Sequence, residues 1–457
     1  MSNNPVDTTL AQPAPLWRRA FNSQRREFLK HVLTLVSGTA AAQVILVAAY
    51  PVLTRLYEPA DFATLQVYLI WTTIIAAIGS GRYELAIMFS ETERDRRSVA
   101  WLSLIACCVT SLISGIALIA FSYGSQYAEY VVGPPSVAVW LIPLGGLCYG
   151  WGVVVQRWEA WFKRFRGLAL AQVAGNAVTV AAQFLLGWMA ERPTGTHLVV
   201  ANLLGLLVTS CLMSVDLVRE LWRERGEFCW KEIRRIAGVH WKFPVFSTSA
   251  QLIGRVAVEI PKLMIGGLFT SSALGLFSLS MRVSQFPLTL IGQAFGQVFF
   301  RQIAEHRTDS RSAQKLLGRS ALLLLGIIAV PMLVLCIWAE PLFGFVFGPE
   351  WTEAGTYARL LIPMMVMGFV VTPISYSVQA FEKQQMVFIW NSSALPLSLA
   401  SIYIGYLLND VTWAILLYSL SLMMIHLTYF WMCMRIAGNL GKSQPAEQEH
   451  AGGADAT

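Results

Sequence analysis

Long apolar runs separated by short polar segments make up almost the whole chain. Runs of about 20 residues, the length a bilayer-crossing helix needs, extend over 28–53, 63–81, 99–121, 137–155, 168–189 and 198–218. Six more cover 243–265, 273–300, 316–338, 357–380, 387–407 and 413–434. Hydrocarbon offers no water to the backbone, so each run is predicted to satisfy its own amides as a helix. Alternating segments of about ten residues, the mark of a membrane barrel, do not occur. The expected fold class is an all-α integral membrane protein with about twelve transmembrane helices.

The polar segments supply orientation and boundaries. Basic residues crowd the N-terminus, the even-numbered loops and the tail, led by Arg219, Arg223, Arg225, Lys231, Arg234, Arg235 and Lys242. The odd-numbered loops hold only Arg55, Arg192 and Arg359. This asymmetry predicts cytoplasmic termini and a multi-pass place in the inner membrane. The first apolar run is full length, so it is read as a helix and not as a cleaved signal. The expected organisation is a cytoplasmic segment over 1–27, a first lobe over 28–218 and a basic linker over 219–242. A second lobe over 243–436 and a disordered, Gly/Ala-rich tail over 437–457 complete it.

Two lobes are expected because landmarks recur. Val131-Val132-Gly133-Pro134 with Leu141-Ile142-Pro143 returns as Val346-Phe347-Gly348-Pro349 with Leu361-Ile362-Pro363. Ser37 and Pro51 are matched at the same spacing by Ser247 and Pro261. A shift of six helices preserves orientation, so the halves should be related by a pseudo-twofold axis along the membrane normal.

Composition agrees with a lipid environment and narrows the function classes. Of 457 residues, 55% are hydrophobic and 13% charged, against roughly 25% charged in soluble domains. The net charge of +7 is scattered between apolar runs and forms no block suited to nucleic acid. Six of the seven cysteines lie inside apolar runs and read as small buried hydrophobes; Cys229 lies in the basic linker. None has metal-ligand spacing with histidine. No catalytic residue, metal or cofactor is therefore expected.

Charged groups within apolar helices cost roughly 2.5–3.5 kcal/mol each on insertion scales and mark candidate sites. Helix 7 carries Arg255, Glu259 and Lys262 on one face, and helix 8 carries Arg282, Gln285, Thr289 and Gln293. Helix 5 carries Gln172, Asn176, Thr179 and Gln183, and helix 10 carries Thr372, Ser375 and Gln379. Arg82 and Glu84 lie near the inner end of helix 2. The uncharged stripes read equally as interhelical hydrogen bonding, and Arg82 with Glu84 as an interfacial pair. Arg82, Arg255, Lys262 and Arg282 outnumber Glu84 and Glu259, which predicts a positive interior that attracts anions. Phosphate or pyrophosphate on a lipid fits guanidinium forks.

Ser37-Gly38-Thr39-Ala40, Thr54-Arg55-Leu56-Tyr57-Glu58-Pro59-Ala60-Asp61-Phe62 and Gly81-Arg82-Tyr83-Glu84-Leu85-Ala86-Ile87 resemble the opening of bacterial polysaccharide flippases. These are the O-antigen and exopolysaccharide repeat-unit translocases of the multidrug/oligosaccharidyl-lipid/polysaccharide exporter superfamily. Lys242-Phe243-Pro244, Ala273-Leu274-Gly275-Leu276-Phe277, Met281-Arg282-Val283 and Phe347-Gly348-Pro349-Glu350-Trp351 are similar to later blocks. One departure is Ala63, where the family block usually has glycine.

The resemblance implies two lobes around a central cavity open alternately to each side. It implies an undecaprenyl-pyrophosphate-linked oligosaccharide as substrate, carried to the periplasmic leaflet by a transporter of antiporter type. Arg82, Arg255, Lys262 and Arg282 would hold the anionic headgroup, with Gln285, Gln293, Gln172 and Asn176 lining the path. Glu259 and Glu84 would couple to H+ or Na+. Membrane lipid and a polysaccharide polymerase/chain-length complex are the expected partners. A lipid II flippase and a multidrug exporter share the fold. The first is disfavoured by twelve helices, where it would carry two more at its C-terminus, and the second by the sign of the interior charge. A polymerase or glycosyltransferase is the enzyme alternative, but the extended outer loop or carboxylate pair it needs is absent from the sequence.

Overall fold

A computed structural model describes residues 38, 40–125, 137–225, 228–305, 309–381 and 385–440. Ser37, Val131–Pro134 and both terminal segments lie outside the described residues, so part of each repeat landmark does too. Every regular element among the described residues is helical. The first lobe comprises α1 (Ala40–Leu53), α2 (Pro59–Gly79), α3 (Glu93–Gly124), α4 (Val137–Trp161), α5 (Phe165–Met189) and α6 (Gly195–Arg223). A short α7 (Trp230–Val239) leads to the second lobe: α8 (Thr248–Leu268), α9 (Ser271–Glu305), α10 (Ser310–Phe347), α11 (Thr352–Leu360), α12 (Ile362–Ile374), α13 (Tyr376–Ala380), α14 (Gln385–Leu407) and α15 (Val411–Gly438).

Eight of these helices are long and apolar enough to span a membrane, or nine with α11 and α12 counted as one bent span. α1 and the 393–407 part of α14 are shorter apolar helices among the described residues. α8 falls outside that set because Arg255, Glu259 and Lys262 charge it. The tenth expected run is broken: α11 and α12 meet at Leu361 with a bend of 54°. Pro363 sits in the first turn of α12, where its missing N–H costs nothing, so the chain can restart a helix there in a new direction.

Lipid as solvent explains which residues lie inside. Large apolar side chains such as Trp188, Leu322, Val330 and Phe345 point outward, while Ser103, Ser280, Ser377 and Ser419 are buried. Small polar residues let helices approach and still satisfy themselves on the preceding turn. Ser280 Oγ donates to the Leu276 carbonyl at 2.7 Å and reaches the Ala354 carbonyl of α11 at 2.6 Å. The same logic corrects the cysteine expectation. Cys107, Cys148 and Cys433 are buried, but Cys108, Cys211 and Cys336 sit on exposed faces, which an apolar thiol tolerates in hydrocarbon.

The two lobes meet mainly through α2, which packs on α8 and α9. They are clamped at the end poor in basic residues. Trp351 is fully buried, donates Nε1–H to the Thr54 carbonyl at 3.0 Å and meets the Phe62 ring edge-on at 4.8 Å. Beside it, Gly275 lies so close to Pro59 that a Cβ would overlap the Pro59 carbonyl.

At the opposite, basic end the linker is more ordered than a polar connection requires. α6 continues to Arg223, and α7 is an amphipathic helix whose Ile233 and Ile236 are buried. Arg235 fastens α7 to Asp95 at the start of α3 and to Glu232 on its own turn, and this holds the Glu232 carboxyl below its ordinary value.

Capping carries one direct test. Asp410 precedes α15 and accepts from the Thr412 N–H at 2.8 Å and its hydroxyl at 2.6 Å, bonds that lower its pKa. Asp410→Ala should lower thermal stability in detergent by about 1 kcal/mol. A depressed folded-state pKa means this contribution is present above the ordinary aspartate value and is lost as pH falls through the folded one.

Candidate substrate-binding site

The charged stripe of α8 is placed by helical geometry. At about 100° per residue, Gly254, Ala257, Val258 and Lys262 share one face and line a cavity of ≈ 410 Å³. Leu252, Ile260 and Leu263 lie on the far side and pack with Val67, Ile70, Trp71 and Ile74 of α2. Arg255, Glu259 and Lys262 run along the flank between the two faces. This is where the second lobe turns from its own interior toward the first.

The charges in this stripe do not cancel. Lys262 Nζ pairs with Glu259 Oε2 at 2.8 Å, one turn apart. Arg282 of α9 and Arg255 both lie close enough to repel that ammonium. Arg282 is tied across the lobe boundary: it donates to Gln66 Oε1 at 2.6 Å and to the Tyr50 hydroxyl at 3.2 Å. Arg255 is half-buried and makes no hydrogen bond or ion pair among the described residues. Three cations thus face one carboxylate, and one guanidinium keeps its donors free.

The cavity lies inside the second lobe, between α8, α9, α12, α14 and α15. Its lining is chiefly apolar, with Met281, Met364, Met365, Phe369 and Leu422, and carries polar groups at Lys262, Gln285, Thr289, Thr372 and His426. The Thr289 hydroxyl donates to the Gln285 main-chain carbonyl, and the Gln285 side-chain amide donates to the Met281 sulfur at 3.7 Å. His426 Nδ1 lies 2.6 Å from the Leu422 carbonyl.

The other candidates fall elsewhere. Arg82 and Glu84 pair with each other at 3.4 Å beyond the end of α2. Gly81 and Arg82 both have positive φ there, and Ser80 donates to the buried Glu84 carboxylate. They form an ion-paired turn beyond α2 in which Arg82 Nε is buried without a hydrogen-bond acceptor among the described residues. Asn176 donates to the Ala42 carbonyl of α1 at 2.8 Å, and Thr179 packs against Gly205 of α6. The helix 5 stripe, with Gln172 on the same face, therefore reads as interhelical contact within the first lobe. Gln293 belongs to α9, but its side chain lies outside the described residues, as does that of Gln379.

Sequence reasoning passed over Tyr50, Gln66 and His426. Gln66 and His426 are isolated polar residues in apolar helices, a signal that was present. Tyr50 gave none, because a tyrosine near a helix end reads equally as an interfacial anchor.

The fold is that of a multi-pass, all-α membrane protein built from two six-helix lobes. The polysaccharide biosynthesis protein family model matches residues 52–356, about two thirds of the chain, and the chain belongs to that family. No curated protein matches the sequence. Among solved structures, it is similar to the inward-facing conformation of a multidrug resistance MATE family transporter of the MOP superfamily. The TM-score is 0.66 at 15% identity, covering 88% of this chain and 96% of that one. The outward-facing conformation of a multidrug resistance MATE family transporter aligns at a TM-score of 0.52, 14% identity and 90% and 95% coverage. A MOP superfamily transporter from Pyrococcus furiosus, described as having a binding pocket of reverse polarity, aligns at 0.55, 15% identity and 91% and 97% coverage. The family is that of polysaccharide biosynthesis proteins, and the fold is the one seen in these MATE-type structures.

Proposed function

We propose that the protein flips undecaprenyl-pyrophosphate-linked oligosaccharide repeat units from the cytoplasmic to the periplasmic leaflet of the inner membrane. The observation that carries this reading is Arg255, a guanidinium at membrane depth with no partner among the described residues, beside Lys262 and Arg282. An unpaired cation there costs roughly 2.5–3.5 kcal/mol, and an anionic headgroup arriving between the lobes would recover that cost. Pyrophosphate matches the fork, and a cationic drug would meet repulsion. The clamp at Trp351 and Gly275 corresponds to a state closed to the periplasm, in which this stripe is approached from the cytoplasm. Release would follow when the lobes part at the clamp and close at the basic end. Glu259, already bound to Lys262, is the carboxylate placed to couple an ion to that change. By reciprocity, ion and substrate would each alter the other's affinity.

Arg255 makes the test clean, because removing an unpaired charge should not weaken the fold. Arg255→Ala should reach the membrane at normal level and thermal stability, yet leaflet-resolved assay should show at least about tenfold slower translocation of lipid-linked repeat units. Unpolymerised units should accumulate facing the cytoplasm in a deletion strain. Normal flipping by Arg255→Ala would end this assignment, and outward-facing accumulation would favour a polymerase instead.

A further inference from the structure

A second cavity, of ≈ 510 Å³, opens at the basic end of the first lobe, far from the α8 stripe. It lies between the start of α3, the end of α4 and the end of α6, and is lined by five arginines and four acids. Four of those arginines are committed to carboxylates. Arg97 holds Glu220 at 3.0 Å, Arg164 holds Asp216 at 2.8 Å, Arg219 lies 3.9 Å from Asp216, and Arg223 lies 3.7 Å from Glu224. Arg96 is the exception among the described residues. It is only 7% exposed, has no carboxylate within 4 Å, and leaves its buried Nε–H without an acceptor. Its one hydrogen bond is a long one of 3.4 Å to the Ser90 carbonyl, and its guanidinium stacks on Trp161 at 4.2 Å.

We infer that this cavity is a binding site for a phosphate-bearing anion, held by the Arg96 guanidinium. A buried guanidinium with no carboxylate partner is an anion receptor, and phosphate oxygens match its donors in geometry. Burial without an acid is otherwise unfavourable. Stacking on Trp161 fixes the plane of the fork. Three of the four lining acids, Asp216, Glu220 and Glu224, are paired with arginines, and the lining as a whole keeps one net positive charge, with the buried Glu159 carboxylate held by Arg164 beside it. Glu93, one turn before Arg96, is exposed and makes no ion pair among the described residues. The site lies at headgroup depth: Trp161, Phe162 and Trp222 are exposed around it, as in an interfacial aromatic belt. An anionic phospholipid headgroup is thus one source of the phosphate, and free phosphate is the other.

The test uses the full chain and needs no transport. Retention of phosphatidylglycerol against phosphatidylcholine is read by native mass spectrometry of the detergent-solubilised protein, and inorganic phosphate binding by calorimetry. The native protein should retain phosphatidylglycerol preferentially, and Arg96→Gln should weaken that retention about tenfold or more. Arg234→Gln, at an exposed position of α7 outside the cavity lining, should change it little. Phosphate binding without lipid preference, lost in Arg96→Gln, would support the site and name free phosphate as the occupant. Equal binding by the native protein and Arg96→Gln, or no binding of either probe, would overturn the inference. Should Arg96→Gln fail to fold, Arg96→Lys keeps the charge but loses the fork, and Trp161→Leu loses the stack. Both should weaken binding several-fold, and unchanged binding in both would be equally fatal.

Discussion

Glu259→Gln should be the most damaging conservative substitution in the second lobe, lowering stability by about 3–5 kcal/mol. Among the described residues Glu259 is the only acid acting on Lys262, and Arg255 and Arg282 both press on that ammonium. Glutamine keeps the shape and removes the charge, leaving three cations at membrane depth with no counter-ion. Breaking a buried pair costs far more than replacing both partners, because the survivor's desolvation is no longer offset. Glu259→Gln combined with Lys262→Met should therefore recover most of the loss, a non-additivity that a double-mutant cycle reads directly. The measurement is the thermal midpoint of the purified protein in detergent. A single mutant as stable as the native protein would show that the pair does not hold the lobe together.

The second large effect is expected at the clamp. Valine at position 275 must push α9 away from Pro59, since the overlapping atom is a backbone carbonyl that cannot rotate aside. Overpacking of this kind costs about 1–3 kcal/mol, enough to shift a two-state equilibrium roughly five- to 150-fold. The strain falls only on the state in which the lobes touch at the basic-poor end. Gly275→Val should consequently populate the form open at that end. Spin labels at Arg55 and Glu350, exposed on opposite lobes, should report longer distances than in the native chain. An unchanged distance distribution would mean that the contact at Trp351 and Gly275 is not the gate.

These two experiments address different physical questions. The first asks what holds one lobe together, and the second asks what holds the two lobes against each other. Arg282 belongs to both, since it neighbours Lys262 in one lobe and bonds Gln66 and Tyr50 in the other. A headgroup that took over the Arg282 donors would release the first lobe from the second. Binding energy would then be converted into lobe movement without any long-range relay.

Much of this protein was legible along the chain. Hydrocarbon demands internally satisfied backbone, so apolar run length made the helical type and order of the elements readable, while eight helices among the described residues, or nine with the bent pair, pass as spans where twelve were expected. The stripe Arg255, Glu259 and Lys262 was equally readable, because helical periodicity puts those three on one face whatever surrounds them. Partners are another matter. Only the tertiary structure decided that Arg82 pairs with Glu84, that Asn176 serves a helix contact, that Arg282 reaches across to Gln66, and that Arg255 has no partner among the described residues. The cavity holding Lys262 also proved to lie within the second lobe, although the sequence had suggested a chamber shared by several polar stripes. Periodicity fixes direction about a helix's own axis, whereas pairing depends on how neighbouring helices are rotated and tilted. That rotation is set by close contacts such as Gly275 on Pro59 and Trp351 on Phe62, between residues hundreds of positions apart.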